Sequence, residues 1–285
     1  MEIRNVAVFG AGQMGGGIAQ VLAQNGYAVT LVDIEARLVE AGMKGITASL
    51  AKGVERKKVT PAAMDETLQR IHPTTKASEV AGCQLVIEAI VEDKTLKRNL
   101  FHELDAMVPP ETILATNTSS ISITSLASAT KRPDRFIGIH FFNPVPVMKL
   151  IEVIRGEQTS DETVTHAMEL ALRLGKTAVE VRDRPGFVSN RLLMTTLIEA
   201  VRLLQEGVAS KESIDTVAKL GFNLPMGPFE LADLVGLDTC VNAMEVLHEG
   251  YKDPRYEPPP LLKNMVAAGN LGRKSGRGFY EYSKH

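Results

Sequence analysis

The stretch GAGQMGGG, residues 10–17, follows the apolar run VAVF (6–9) and opens the longer run MGGGIAQVLAQNG. A strand that turns through glycines straight into a helix constrains this chain more than any other feature. Gly10 permits the turn, Gly12 lets a backbone approach a pyrophosphate, and Gly15 allows close helix–strand packing. The helix start then offers N–H groups and the positive end of its dipole to phosphates. Gln13 and Met14 lie within the same turn and join the cofactor-binding candidates. Alone, such a loop is a tight strand–helix connection. The next apolar run, AVTLV (28–32), ends at Asp33, roughly 20 residues beyond the glycines, where a carboxylate meets an adenine ribose. It would accept hydrogen bonds from the ribose and repel a 2′-phosphate, which points to NAD rather than NADP. Without the loop in front of it, Asp33 would read as a cap of the following helix.

The rest of the first half keeps that alternation. QLVIEAI (84–90), TILAT (112–116), FIGIH (136–140) and LIEVI (150–154) join VAVF and AVTLV as expected strands, and helices are expected over about 13–25, 35–58, 93–107 and 161–175. Continuous apolar strands between helices predict an α/β class, a Rossmann-type mostly parallel sheet with helices on both faces. After KTAVEV, the segment VRDRPGF gathers charges, a proline and a glycine, which marks a boundary. Beyond it the pattern is all helical: FVSNRLLMTTLIEAVRLLQEG, SKESIDTVAKLG and GPFELADLVGLDTCVNAMEVLHEG. Ser210, with Ser213 and Asp215, opens the second of these, and Pro228 takes a first-turn position in the third. The reading is a domain over 1–183 that binds the dinucleotide and an all-α domain over 184–285.

Charge and cysteine content exclude several classes. With 32 basic and 34 acidic residues the formal net charge is -2, so no overall field favours nucleic acid or an anionic membrane. Cys83 and Cys240 share no local motif, which argues against a disulfide framework or a cysteine metal site and fits a reducing compartment. The start MEIRNVAVFGAG lacks the unbroken apolar stretch of a signal peptide, and the sequence has no apolar run long enough to span a bilayer. A cytoplasmic protein without a metal is expected.

HFFNPVPVMKLIEV, residues 140–153, places an ionisable residue in each of two apolar runs, with a Pro-x-Pro bend between them. Singly, His140 reads as a core histidine bonded to a backbone carbonyl, and Glu152 as a buried carboxylate beside a cation. Together they read as a pair, since a bend that folds the strands back lets each offset the other's burial. A carboxylate on one ring nitrogen fixes the tautomer and leaves the other nitrogen to act as base. Beside a nicotinamide, that is what alcohol oxidation requires.

With GAGQMGGGIAQ, EAIVEDKTLKRNLF, NTSSISI, HFFNPVPVMKLIEV, DRPGFVSNRLL, GFNLPMGPFELADLVGLD and GRKSGRGFYEY in this order, the whole chain resembles the L-3-hydroxyacyl-CoA dehydrogenases, and among them the bacterial-type 3-hydroxybutyryl-CoA dehydrogenases. The resemblance implies NAD-dependent interconversion of an L-3-hydroxyacyl-CoA, such as 3-hydroxybutyryl-CoA, with its 3-oxoacyl-CoA, such as acetoacetyl-CoA. It makes His140 the base and Glu152 its orienting partner, with Ser119 and Asn190 on the reacting oxygen or the thioester. It also implies that Glu92, Lys97, Asn117, Ser119, Asn143 and Lys274 line the NAD site, and that the helical domain carries a homodimer interface. From the residues alone, Ser119 could be a helix cap, and Glu92 with Lys97 a solvated helix start. Asn190, an amide in an apolar helix, needs a partner or faces a cleft, here expected between the domains. Lys52 and Arg56, with Lys57 and Lys58, form a basic helix end that is either a solvated terminus or a seat for the coenzyme A phosphates. His72, His102, His166, His248 and His285 have no partner pattern. Two other readings keep the fold: a dehydrogenase of another β-hydroxy acid without CoA, and a catalytically silent NAD-binding structural or sensor protein. No segment remains for a hydratase domain.

Overall fold

A computed structural model of the chain describes residues 2–282; His285 lies outside the described residues. The chain divides into two compact units, Met1–Asp183 and Arg184–His285.

In the first unit the elements run β1 (Asn5–Phe9), α1 (Gln13–Gln24), β2 (Ala28–Val32), α2 (Ala36–Glu55), α3 (Pro61–Gln69), β3 (Ile71–Thr74) and β4 (Leu85–Glu88). They continue with α4 (Lys94–Met107), β5 (Ile113–Thr116), α5 (Ile123–Ala127), β6 (Phe136–Phe141), β7 (Leu150–Arg155), α6 (Asp161–Arg173) and β8 (Thr177–Arg182). One sheet takes all eight strands in the order β3-β2-β1-β4-β5-β6-β7-β8. Every neighbouring pair is parallel except β6 and β7. Six of these strands are those that the apolar runs mark; β3 and β8 extend the sheet at its two edges.

Side chains alternate between the faces of each strand. Val8, Ile87, Ala115, Ile139 and Val153 share a buried cluster with Ile18 and Leu22 of α1, Leu50 of α2 and Leu170 of α6. Their strand neighbours therefore point to the opposite face, where Phe101 of α4 meets Phe136 edge-on with ring centroids 4.6 Å apart. That second face carries Glu88, Thr116, His140 and Glu152. Parallel register sets Val32 beside Phe9, Phe9 beside Glu88 and Glu88 beside Thr116. The next residue on each strand, Asp33, Gly10, Ala89 and Asn117, thus arrives at one sheet edge. Backbone bonds from Gly10 N to Val32 O, Ala89 N to Phe9 O and Asn117 N to Glu88 O tie that edge together.

The second unit is helical: α7 (Ser189–Gln205), α8 (Lys211–Thr216), α9 (Pro228–Val235), α10 (Leu237–Tyr251) and α11 (Pro260–Ala267). Its core joins Met194, Leu197, Phe229, Met244 and Leu262. The run GPFELADLVGLDTC divides at Gly236 into α9 and α10. Ser210 caps α8 as expected, accepting from the N–H of Ser213. Asp215 does not serve that helix start. It is buried, and its carboxylate accepts the N–H groups of Phe229 and Glu230 in the first turn of α9 and the Tyr280 hydroxyl at 2.8 Å. Asp233, equally buried, accepts the N–H groups of Phe279 and Tyr280 and the hydroxyl of Tyr282. Two interior carboxylates therefore hold residues 279–282 onto the helices.

Candidate active site

The glycine loop is built by contact as much as by turning. Gly10 has φ of 99°, and a Cβ there would lie 2.5 Å from the carbonyl oxygen of Ala89, at the end of β4. At Gly15 a Cβ would fall 1.7 Å from the Gly10 carbonyl oxygen, so the helix start lies against the loop itself rather than mainly against the strand. Gly12 differs, because a Cβ there would meet no atom within 4 Å. The protein leaves that space open just where α1 begins with no side-chain cap on its first N–H groups. Asp33 closes the other side: its carboxylate accepts the N–H of Ala11 at 2.7 Å and that of Ile34 at 2.7 Å. An open notch at an uncapped helix N-terminus with a carboxylate at the adjacent strand end fits a dinucleotide's pyrophosphate and ribose.

Beyond β4 lies a buried ionic group of which sequence reasoning held only part. Glu88 is fully buried and accepts from Lys97 Nζ at 2.5 Å, from the N–H of Ile90 at 2.7 Å and from Thr116 Oγ1 at 2.7 Å. Burial pushes its carboxyl above the ordinary range even with Lys97 alongside. Lys97 is 1% exposed, which excludes a solvated helix start, and its ammonium also reaches Glu92 at 3.2 Å. Glu92 in turn accepts from the hydroxyls of Thr118 and Ser120 and from the N–H of Ser119. Burial would raise Glu92, but the Lys97 charge and these donors outweigh it and hold its carboxyl below the ordinary range. The chain from Glu88 through Lys97 and Glu92 thereby shapes the NTSS turn after β5. Glu88 could have been found as Glu152 was, as a lone acid inside an apolar run.

His140 and Glu152 are directly opposite partners in the one antiparallel pair of the sheet. His140 Nδ1 and Glu152 Oε2 are 2.9 Å apart, and both residues are buried. The bend between them reverses the chain so that the strand ladder brings imidazole and carboxylate together. Asn117 steadies the same place, its Oδ1 accepting the N–H of Phe141 at 2.9 Å. Phe142 tilts against the imidazole at 4.6 Å between centroids.

The other expected residues are divided between the two units. Asn143 is exposed in the bend, and Ser119 is half-buried in the turn after β5. Lys52, Arg56, Lys57 and Lys58 are exposed at the end of α2. In the second unit Asn190 is half-buried in the first turn of α7. Lys274 pairs with Asp238 of α10 at 2.6 Å. Among the described residues no group of three or more His, Cys, Asp or Glu could hold a metal ion, and no helix is long and apolar enough to cross a membrane.

Two family models match the chain end to end: the NAD binding domain of 3-hydroxyacyl-CoA dehydrogenase over residues 5–184, and the C-terminal domain of the same enzyme over residues 186–282. The chain belongs to the 3-hydroxyacyl-CoA dehydrogenase family. As a member of it, the chain is 56% identical over 275 residues to a probable 3-hydroxybutyryl-CoA dehydrogenase of Deinococcus radiodurans, covering 96% of this chain and 99% of that one. It is 49% identical to the mitochondrial hydroxyacyl-coenzyme A dehydrogenase of Rattus norvegicus, over 98% of this chain and 91% of the other. The crystal structure of (S)-3-hydroxybutyryl-CoA dehydrogenase from Ralstonia eutropha superposes with a TM-score of 0.96 at 48% identity, covering 99% of this chain and all of that one. The family's NAD-binding domain is thus the unit that carries the notch at Gly12 and the His140–Glu152 pair.

Proposed function

We propose that this family member interconverts short-chain L-3-hydroxyacyl-CoA, 3-hydroxybutyryl-CoA above all, with 3-oxoacyl-CoA such as acetoacetyl-CoA, using NAD. The observation that carries the reading is the buried 2.9 Å contact between His140 Nδ1 and Glu152 Oε2 on the face of an NAD-binding sheet. When bound, the nicotinamide supplies the hydride acceptor for oxidation and the hydride donor for reduction. In oxidation Glu152 holds the proton on Nδ1 and keeps the ring in place, while Nε2 of His140 takes the proton of the 3-hydroxyl. In reduction the same nitrogen returns it. Ser119 and Asn190 are assigned to hydrogen bonds with the 3-oxygen or the thioester. The glycine loop with Gln13 and Met14, Asp33, Glu92, Asn117, Asn143 and Lys274 are assigned to the cofactor. Lys97, buried between two carboxylates, serves that set by holding Glu92.

The first unit is read as the cofactor domain and the second as the substrate-binding and dimerisation domain. Lys52 and Arg56 are assigned to the coenzyme A phosphates; neither is ion-paired to a described residue. A homodimer through the second unit is supported by Leu220 at 83% and Phe222 at 70% exposure, with Val217, Leu224 and Leu234 also exposed. Sedimentation of the protein with Phe222→Ser and Leu220→Ser should then yield monomers. A cytoplasmic location completes the reading. Steady-state assays with 3-oxoacyl-CoA substrates from C4 to C16, with NADH and with NADPH, test the function: fastest turnover of acetoacetyl-CoA with NADH is expected, and no turnover of any CoA thioester would refute it. Preference for free β-hydroxy acids would favour a relative that does not use CoA.

A further inference from the structure

The bend 142–149, which reverses the chain between His140 and Glu152, is gripped from two sides. On one side, Lys176 sends its ammonium into the bend, donating to the carbonyl oxygen of Val145 at 2.7 Å and to that of Met148 at 2.6 Å. The residue is 8% exposed, and the ammonium has no carboxylate partner among the described residues. Burial is what lowers its pKa. A cation taken out of water for two neutral carbonyls is an unusual use of a lysine, since burial of a charge is ordinarily offset by a counter-charge. Its backbone is fixed as well: Lys176 N donates to Ala171 O at the end of α6, and Thr177 N to Lys149 O where β8 joins β7.

On the other side the bend rests on α1. Val145 is 2% exposed. A Cβ at Gly17 would lie 2.9 Å from Val145 Cβ and 3.1 Å from its Cγ2, so only a glycine in the helix lets the bend come this close. Gly17 stands just after the G-x-G-x-x-G set and has no part in the phosphate notch itself. It converts the helix that follows the glycine loop into a floor for the bend.

We propose that Lys176 is a positioning residue of the dehydrogenase reaction: by holding the carbonyls of Val145 and Met148, and so keeping Val145 of the bend against Gly17 of α1, it sets where the imidazole of His140 stands relative to Glu152 and to the glycine loop. This inference rests on His140 and Glu152 being the reacting pair. Both residues leave the sheet through the bend, at Phe141 and Leu150, so a shift of the bend moves the end of the ladder that carries them. A displacement of about 1 Å at a reacting group can lower the rate by about 100-fold. A lysine that merely stabilised the fold would alter the unfolding midpoint and leave the kinetic constants of the folded enzyme alone.

The test compares Lys176→Met, Lys176→Arg, Gly17→Ala and His140→Gln in the full chain, measuring kcat, KM for NADH and the urea midpoint with acetoacetyl-CoA as substrate. Lys176→Met should lower kcat by about 10- to 100-fold, with KM for NADH rising by a smaller factor because Asn143 moves with the same bend. Lys176→Arg, whose guanidinium can donate to both carbonyls, should recover most of the turnover. Gly17→Ala should lower kcat from the other side, and its effect should be smaller in the Lys176→Met background, because a released bend yields to the added methyl. Folded Lys176→Met with wild-type kcat overturns the proposal, as does an equal loss in the Met and Arg variants. If Lys176→Met does not fold, Gly17→Ala decides: wild-type kcat there overturns the proposal as well. Wild-type turnover by His140→Gln would instead remove the reading on which it rests.

Discussion

Asp33 accepts the backbone N–H of Ala11 at 2.7 Å, so the end of β2 and the glycine loop are tied by the same carboxylate that we assign to the ribose. Asp33→Ala should therefore do two things at once. It should narrow the preference for NADH over NADPH, read as the ratio of kcat/KM values. It should also destabilise the fold by about 1–3 kcal/mol in urea unfolding, because the buried N–H of Ala11 loses its acceptor. Asp33→Asn, which keeps an acceptor oxygen, should separate the two effects.

His140→Gln should lower kcat by at least about 100-fold with little change in NADH affinity, the loss expected for a general base. Glu152→Gln should lower kcat by a similar order and alter the pH–rate profile, since the ring loses its carboxylate partner. Stopped-flow turnover across pH, with NADH titrations by fluorescence, measures both.

The two carboxylates that share Lys97 should show opposite pH dependence. Glu88 is raised above its ordinary value of 4.5, so its contribution to stability is full below pH 4.5 and is lost as pH rises through its folded-state pKa. Glu92 is lowered, so its contribution is present above pH 4.5 and is lost as pH falls through its folded-state pKa. As pH rises from about 4 to about 8, the stability of Glu88→Gln should climb relative to that of wild type, and that of Glu92→Gln should fall relative to it. Urea midpoints measured at intervals over that range would show parallel curves if the assignment were wrong.

Much of this was legible in the sequence because burial leaves a periodic trace. The six inner strands are unbroken apolar runs, and a lone His or Glu inside one stands out. At the edges the trace fades. β3 reads IHPT, with a proline that suits an edge strand but hides it from any pattern. Glu88 carried the same signal as Glu152, yet with no histidine across a bend to match it, the run QLVIEAI did not suggest an ionic partner. Its partner Lys97 lies in a helix start dense with charges, where nothing local distinguishes a buried lysine from solvated ones. Lys176 is hidden similarly, since its acceptors are backbone carbonyls, which leave no mark in composition. Local sequence places Asp215 at the start of α8, whereas the N–H groups it caps are at Phe229 and Glu230, fourteen and fifteen residues further on.

Tyr280→Phe tests how much the second unit depends on that carboxylate. Removing the hydroxyl leaves Asp215, whose pKa is raised by burial, with one donor fewer in the interior. A loss of about 1–3 kcal/mol in urea unfolding is expected. Tyr282→Phe should act similarly through Asp233, and the two losses should add if the carboxylates are independent anchors.

The same two aspartates impose an order of events on a chain made from its N-terminus. The last strand of the first unit's sheet ends at Arg182, so that unit has all its strands in hand while the helices are still being synthesised. The second unit has no such freedom: α7 to α11 emerge with Asp215 and Asp233 inside their sequence, but the donors at Phe279, Tyr280 and Tyr282 come afterwards. Until those residues clear the ribosome, closing the helices would bury two carboxylates short of their partners. The first unit is therefore expected to be able to form ahead of the helices, whereas the second needs residues 279–282 before its interior carboxylates have all their donors.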